Sequence, residues 1–112
     1  PSDLPTSEEL INGLRAYIKI AKEHGLWIKL GTITPFGNWC TYTDEKEHLR
    51  QVVNEWISNN SEADGYIDFA ELIADPADHK CVSTEYCQPD GLHPSLAEAE
   101  HMAESIPEDW LF

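Results

Sequence analysis

The run Leu26-Trp27-Ile28-Lys29-Leu30-Gly31-Thr32-Ile33 is mostly apolar, alternates little, and is closed by Thr34-Pro35. A strand with that pattern is buried on both faces, as in a parallel sheet covered by helices, rather than on one face as in a sheet open to water. This segment constrains the fold more than any other, because parallel strands need crossover connections and normally a sheet of more than two strands to enclose a core. The only other convincing strand is the short Tyr66 to Phe69 segment. The chain therefore reads as part of a sheet rather than a whole one.

Three helices surround these strands. Thr6 with Glu9 forms a capping box, after which Leu10, Ile11, Leu14, Tyr17, Ile18 and Ala21 recur on one face, and Gly25 is placed to end the helix. Asp44 with Glu47 opens a second helix whose inward face is Leu49, Val52, Val53, Trp56 and Ile57. Ser95 with Glu98 opens a third, running through Leu96, Ala99, Met102, Ala103 and Ile106. Residues 75–94 between them read as a long irregular loop. Helix, strand, helix, strand, loop, helix is an α/β pattern, with no internal repeat and no low-complexity segment.

Composition narrows the function. The 112 residues carry 7 Lys plus Arg against 21 Asp plus Glu, a formal net charge of −14. Such an excess of acid repels phosphate backbones, and no cluster of basic residues offsets it, so nucleic acid is excluded as a partner. No apolar run approaches the roughly 20 residues of a membrane span, and Pro1-Ser2-Asp3 has no basic segment followed by an apolar one. A chain starting at Pro1 is expected to have lost an upstream piece.

The cysteines are Cys40, Cys81 and Cys87, an odd number. Cys81 and Cys87 lie close together among Pro76, Pro89 and Gly91, which suits a short disulfide and an oxidising compartment. Cys40 is then a free buried thiol or the partner of a segment outside this chain. The sequon Asn59-Asn60-Ser61 also agrees with secretion.

Three constellations carry candidate chemistry. Asn60 to Glu71 places oxygen side chains at positions 1, 3, 5, 9 and 12 of an EF-hand loop with Gly65 at position 6. Against calcium, Asn60 replaces the usual first Asp and there is no second loop with which to pair; a turn at Asp64-Gly65 leading into a strand accounts for the same residues. Cys81, Cys87 and His93, with His79 nearby, outline a zinc site whose spacing is wider than structural zinc motifs use, so a disulfide beside an unrelated histidine is preferred. The third is Asp90-Gly91-Leu92-His93-Pro94-Ser95. A carboxylate three residues before an imidazole can accept its Nδ1 proton and leave Nε2 as a general base, although on spacing alone a helix entry capped by Asp90 beside a surface histidine is the better explanation.

Taken in order, Gly31-Thr32-Ile33-Thr34-Pro35-Phe36-Gly37, Arg50 with Val53-Asn54-Glu55-Trp56-Ile57, Asp64-Gly65-Tyr66-Ile67-Asp68-Phe69 leading to Asp75-Pro76-Ala77-Asp78, and Asp90-Gly91-Leu92-His93-Pro94-Ser95 with Met102-Ala103 resemble the SGNH (GDSL-type) esterase and lipase family. The resemblance covers nearly the whole chain. It implies a flavodoxin-like α/β/α sandwich with a parallel sheet, of which residues 1–112 would form the C-terminal part. It also implies a secreted serine esterase or lipase in which Asp90 orients His93 and His93 activates a serine, with no cofactor and no metal. The Gly-Asp-Ser block and the Gly-x-Asn-Asp block, which in that family supply the nucleophile and oxyanion donors, are absent here, and Ser2, Ser7, Ser58, Ser61, Ser83, Ser95 and Ser105 all lack the nucleophile's context. The implied partner is thus a separate N-terminal half bearing the serine, acting with this chain on a small ester. Without it the chain is expected to be inactive. The alternative is a truncated, non-catalytic module that self-associates through an open sheet edge.

Overall fold

A computed structural model describes residues 4–37, 39, 42–59, 62–86 and 95–110. The chain is a mixed α/β protein built on one parallel pair of strands. Helix α1, Ser7–Glu23, is opened by the expected capping box: Glu9 N–H donates to Thr6 Oγ1 at 3.1 Å and the Glu9 carboxylate accepts from Thr6 N–H at 3.3 Å. Gly25, at φ 68°, ends it. That left-handed residue lets Leu26 N–H reach Ala21 O at 2.8 Å and Gly25 N–H reach Lys22 O at 3.1 Å, which satisfies carbonyls the helix end would leave open.

Strand β1, Lys29–Gly31, follows and pairs in parallel with β2, Gly65–Ile67, through the crossover helix α2, Asp44–Asn59. The strand is shorter than the run from Leu26 to Ile33 that announced it. Among the described residues β1 has a strand neighbour on one side only, so ladder hydrogen bonds fix the chain only opposite β2, and Leu26 and Trp27 stand exposed before it. Ile18 of α1 and Val53, Trp56 and Ile57 of α2 form the buried core, with Ile28 and Leu30 packed against them. Burying side chains of this size stabilises by about 1.5–3 kcal/mol each. Tyr17, expected on the inward face of α1, is exposed instead.

Helix α2 begins one residue earlier than its capping signal, with Asp44 already inside it. Thr43 supplies the capping oxygen, accepting from Lys46 N–H at 3.1 Å, while Glu47 turns inward and is buried. The inward stripe of α2 thus mixes Val53, Trp56 and Ile57 with two charged side chains, Glu47 and Arg50.

After β2, Asp68 caps a short helix α3, Phe69–Ile73, where the strand had been expected to run on through Phe69. The expected loop then starts as a hairpin: β3, Ala74–Asp75, pairs antiparallel with β4, Asp78–Val82, about the turn Pro76-Ala77. Asp75 makes that turn by accepting from Ala77 N–H at 2.8 Å. Helix α4, Leu96–Glu104, is capped by Ser95 as its sequence predicts, and a single 3₁₀ turn, Glu108–Trp110, follows.

The side of α4 that faces inward is a correction. Leu96, expected inside, is 76% exposed, and Ala99 and Ala103 are exposed too, whereas Glu98 is buried. Among the described residues no side chain covers Leu96. Among the described residues no helix is long and apolar enough to cross a membrane.

Candidate active site

The carboxyl ends of β1 and β2 open onto a polar cleft of about 210 Å³, lined by Arg50, Gln51, Asn54, Asp68, Glu71 and His79 among others. In open parallel sheets ligands bind in the crevice outside the carboxyl ends of the strands. Thr32, just past β1, ties the two strand ends together. Its backbone N–H donates to Ile67 O at 3.1 Å, its hydroxyl donates to Asp68 Oδ1 at 3.0 Å, and the same oxygen accepts from Ala70 N–H at 2.9 Å. Asp68 Oδ1 also accepts from Glu71 N–H at 3.2 Å, so one carboxylate oxygen serves as helix cap and strand tie.

Helix α2 fixes the other wall. Asn54 grips Ile33 at both backbone groups: Ile33 N–H donates to Asn54 Oδ1 at 2.7 Å, and Asn54 Nδ2 donates to Ile33 O at 2.9 Å. Arg50 adds a bond from Nη1 to the same carbonyl at 3.2 Å. The guanidinium is itself held in a fork by Glu47, with Nε to Oε1 at 2.9 Å and Nη2 to Oε2 at 2.7 Å, and Gln51 donates to Glu47 Oε2 at 2.6 Å. A buried charge pair is tolerated only with such complete bonding. Arg50 and Asn54 therefore hold the loop after β1 in place and have few donors left for a ligand. The groups left open to the cleft are the second Asp68 oxygen, Glu71 and His79. His79 Nδ1 lies 3.9 Å from Glu71 Oε2, and both side chains are exposed.

The sequence candidates Asp90 and His93 lie outside the described residues. Their flanks are well fixed. Ser95 N–H donates to Tyr86 O at 3.1 Å and Ser95 Oγ to Glu85 O at 3.0 Å, so the chain leaves at Tyr86 and returns at Ser95 beside the start of α4. Tyr86 stacks on His101 of α4, with ring centroids 5.1 Å apart and planes 7° from parallel.

None of the described serines is poised as a nucleophile in the cleft. Ser58 Oγ donates to Glu55 O at 3.1 Å, Ser95 Oγ to Glu85 O, and Ser105 Oγ to Met102 O at 2.6 Å, and no serine is among the residues lining the cleft. Each of these hydroxyls serves a backbone carbonyl.

Two readings of the acidic and sulfur-bearing residues change. The calcium loop is replaced by a strand: Gly65–Ile67 pairs with β1, Asp64 Oδ2 accepts from Ile28 N–H at 2.8 Å, and Asp68 caps α3 at the strand's other end. Asp64 and Asp68 are thus engaged with backbone N–H groups at the two ends of the strand, and Asn60, the first position of the calcium pattern, lies outside the described residues. Cys81 is a free thiol, so the expected Cys81–Cys87 bridge is not formed. Its Sγ donates to Asp78 Oδ2 at 3.7 Å, and desolvation, reinforced by the Asp78 charge, raises its pKa. A thiol held protonated is a poor nucleophile and a poor metal ligand. Cys40, Cys87 and His93 lie outside the described residues. Among the described residues no three His, Cys, Asp or Glu side chains are placed to hold a metal ion.

Two features of the cleft escaped the sequence reading. Arg50 and Asn54 are part of the family-like pattern, but their grip on Ile33 was not anticipated. Nor was the inward turn of Glu47, for which the signal is its position three residues before Arg50 on an otherwise apolar stripe.

Compared with known proteins, the chain matches no family model and no curated sequence.

Proposed function

We propose that this chain is the C-terminal half of a flavodoxin-like SGNH hydrolase, a secreted serine esterase or lipase completed by a second segment that carries the nucleophile. The observation that carries the reading is the Asp90-x-x-His93 block set just before a capped α4, in a chain whose parallel strands end at a polar cleft. His93 Nε2 takes the proton from the incoming serine Oγ as it attacks the ester carbonyl, and then delivers it to the departing alkoxide. Asp90 accepts from Nδ1 and holds the tautomer. The completing segment supplies the serine and the oxyanion donors, without which the charge on the tetrahedral intermediate has no stabilisation. That β1 has one strand neighbour among the described residues, and that Leu96, Tyr17 and Ile33 are exposed, support the need for a further segment.

The test is reconstitution. Mixed with a polypeptide bearing the Gly-Asp-Ser block, this chain is expected to hydrolyse a short-chain p-nitrophenyl ester, and His93→Ala is expected to remove that activity. Activity undiminished in His93→Ala would overturn the assignment of the base.

The same uncovered surfaces favour a second reading, a non-catalytic module that self-associates. The mass in solution separates the two: a complex of unlike chains supports the hydrolase, and a homodimer supports the module.

A further inference from the structure

At the amino end of β1, opposite the cleft just described, Trp27, Lys29, Asp109 and Trp110 line a second cleft of about 410 Å³. Clefts of about 300–1,000 Å³ are the size that takes small ligands. Trp27 is 81% exposed, the most exposed large apolar side chain described. Lys29 Nζ stands 5.1 Å from the centroid of the Trp27 ring and 4.4 Å from that of Trp110, and it is fixed there by donating to Asp64 O at 3.1 Å. Trp110 in turn lies against the sheet at Gly65, where an added Cβ would come within 3.1 Å of the indole. Two indoles, an ammonium with further N–H donors and a carboxylate thus share one open, braced cleft.

We propose that this cleft binds a neutral carbohydrate. The face of Trp27 away from Lys29, on a ring that is mostly exposed, accepts the C–H face of a pyranose ring, while Lys29 donates to ring hydroxyls and Asp109 accepts from them. Charge decides against other small ligands. Lys29 already occupies the cation-binding position over both rings, so a second cation is repelled. An anion meets Asp109 and a chain of net charge −14. A neutral polyol meets neither obstacle and uses every group present. The inference does not rest on the hydrolase reading, since no residue of this cleft belongs to the proposed catalytic set.

The test is titration of this chain with xylohexaose, cellohexaose and maltohexaose, followed by the indole Nε1–H resonances in NMR. Saturable shifts of Trp27 and Trp110 with at least one glycan, and no shift of the buried Trp56, are expected. Trp27→Ala should weaken binding roughly tenfold or more while leaving the melting temperature unchanged, because an exposed ring holds little of the fold together. Lys29→Met, which keeps the aliphatic stem between the rings, should weaken it as well. No shift with any of the three glycans at millimolar concentration overturns the proposal, as does undiminished binding by Trp27→Ala. So does a Trp27-dependent homodimer that accounts for the shifts, because the rings are then a protein contact.

Discussion

The segment from α1 through β2 and the segment from α3 to Trp110 are built from similar sequence material and end up differently packed. In the first, Ile18, Val53, Trp56 and Ile57 meet across two helices and one strand pair, and the charged residues that turn inward, Glu47 and Arg50, satisfy each other. In the second, α4 leaves Leu96 in solvent and buries Glu98, whose Oε2 has no partner among the described residues. An α–β–α–β unit can close one side of a sheet by itself. Helix α4 keeps its capped helical form while its Leu96 finds no apolar seat among the described residues.

The contrast gives a ranked set of variants. Glu47→Ala should have the largest effect, because it strands the Arg50 guanidinium in the interior and slackens the loop at Ile33; a loss of about 3–5 kcal/mol is expected in urea unfolding. Ile57→Ala should follow at about 2–5 kcal/mol, by lost transfer energy and the cavity left. If the second segment were packed as the first is, Leu96→Ser would cost as much. Its exposure predicts a change within about 0.5 kcal/mol, and weaker self-association by sedimentation.

Glu98 sharpens the comparison through pH. Burial raises its carboxyl pKa from the usual value, so the folded chain binds that proton more tightly than the unfolded chain does. The stabilisation this provides is full below the unfolded pKa and is lost as pH rises through the folded one. Melting temperatures of wild type and Glu98→Gln measured from acid to neutral pH should therefore diverge, the wild type losing ground to the variant as Glu98 ionises. Parallel curves would mean that the carboxylate is satisfied in the folded state.

Much of the first segment was legible from the chain alone. Thr6 with Glu9, Gly25, and the stripe Val53, Trp56, Ile57 are local signals whose physics acts within a few residues, and the structure keeps all of them. What could not be read depends on distant partners. The strand predicted across Leu26 to Ile33 shrinks because β1 has no second strand neighbour among the described residues, and the expected inward face of α4 is only partly buried, at Met102 and Ile106, because none of the described residues covers Leu96. The hairpin of β3 and β4 was missed because Asp78, His79 and Lys80 are polar and exposed, so no alternation marks them, and its register is set by the Asp75 turn. At the cleft, the pattern that includes Thr32, Arg50, Asn54 and Asp68 was visible, but the bonds joining them cross between elements and have no signature in sequence.

The central claim is that this chain brings the base and its orienting acid while another segment brings the serine. Labelling with a fluorophosphonate, followed by mass mapping of the modified residue, tests it most directly. Alone, this chain should remain unlabelled; mixed with the polypeptide bearing Gly-Asp-Ser, that block's serine should be labelled, and the labelling should fail with His93→Ala. An adduct on a serine of this chain, or labelling in the mixture that is indifferent to His93, would contradict the account.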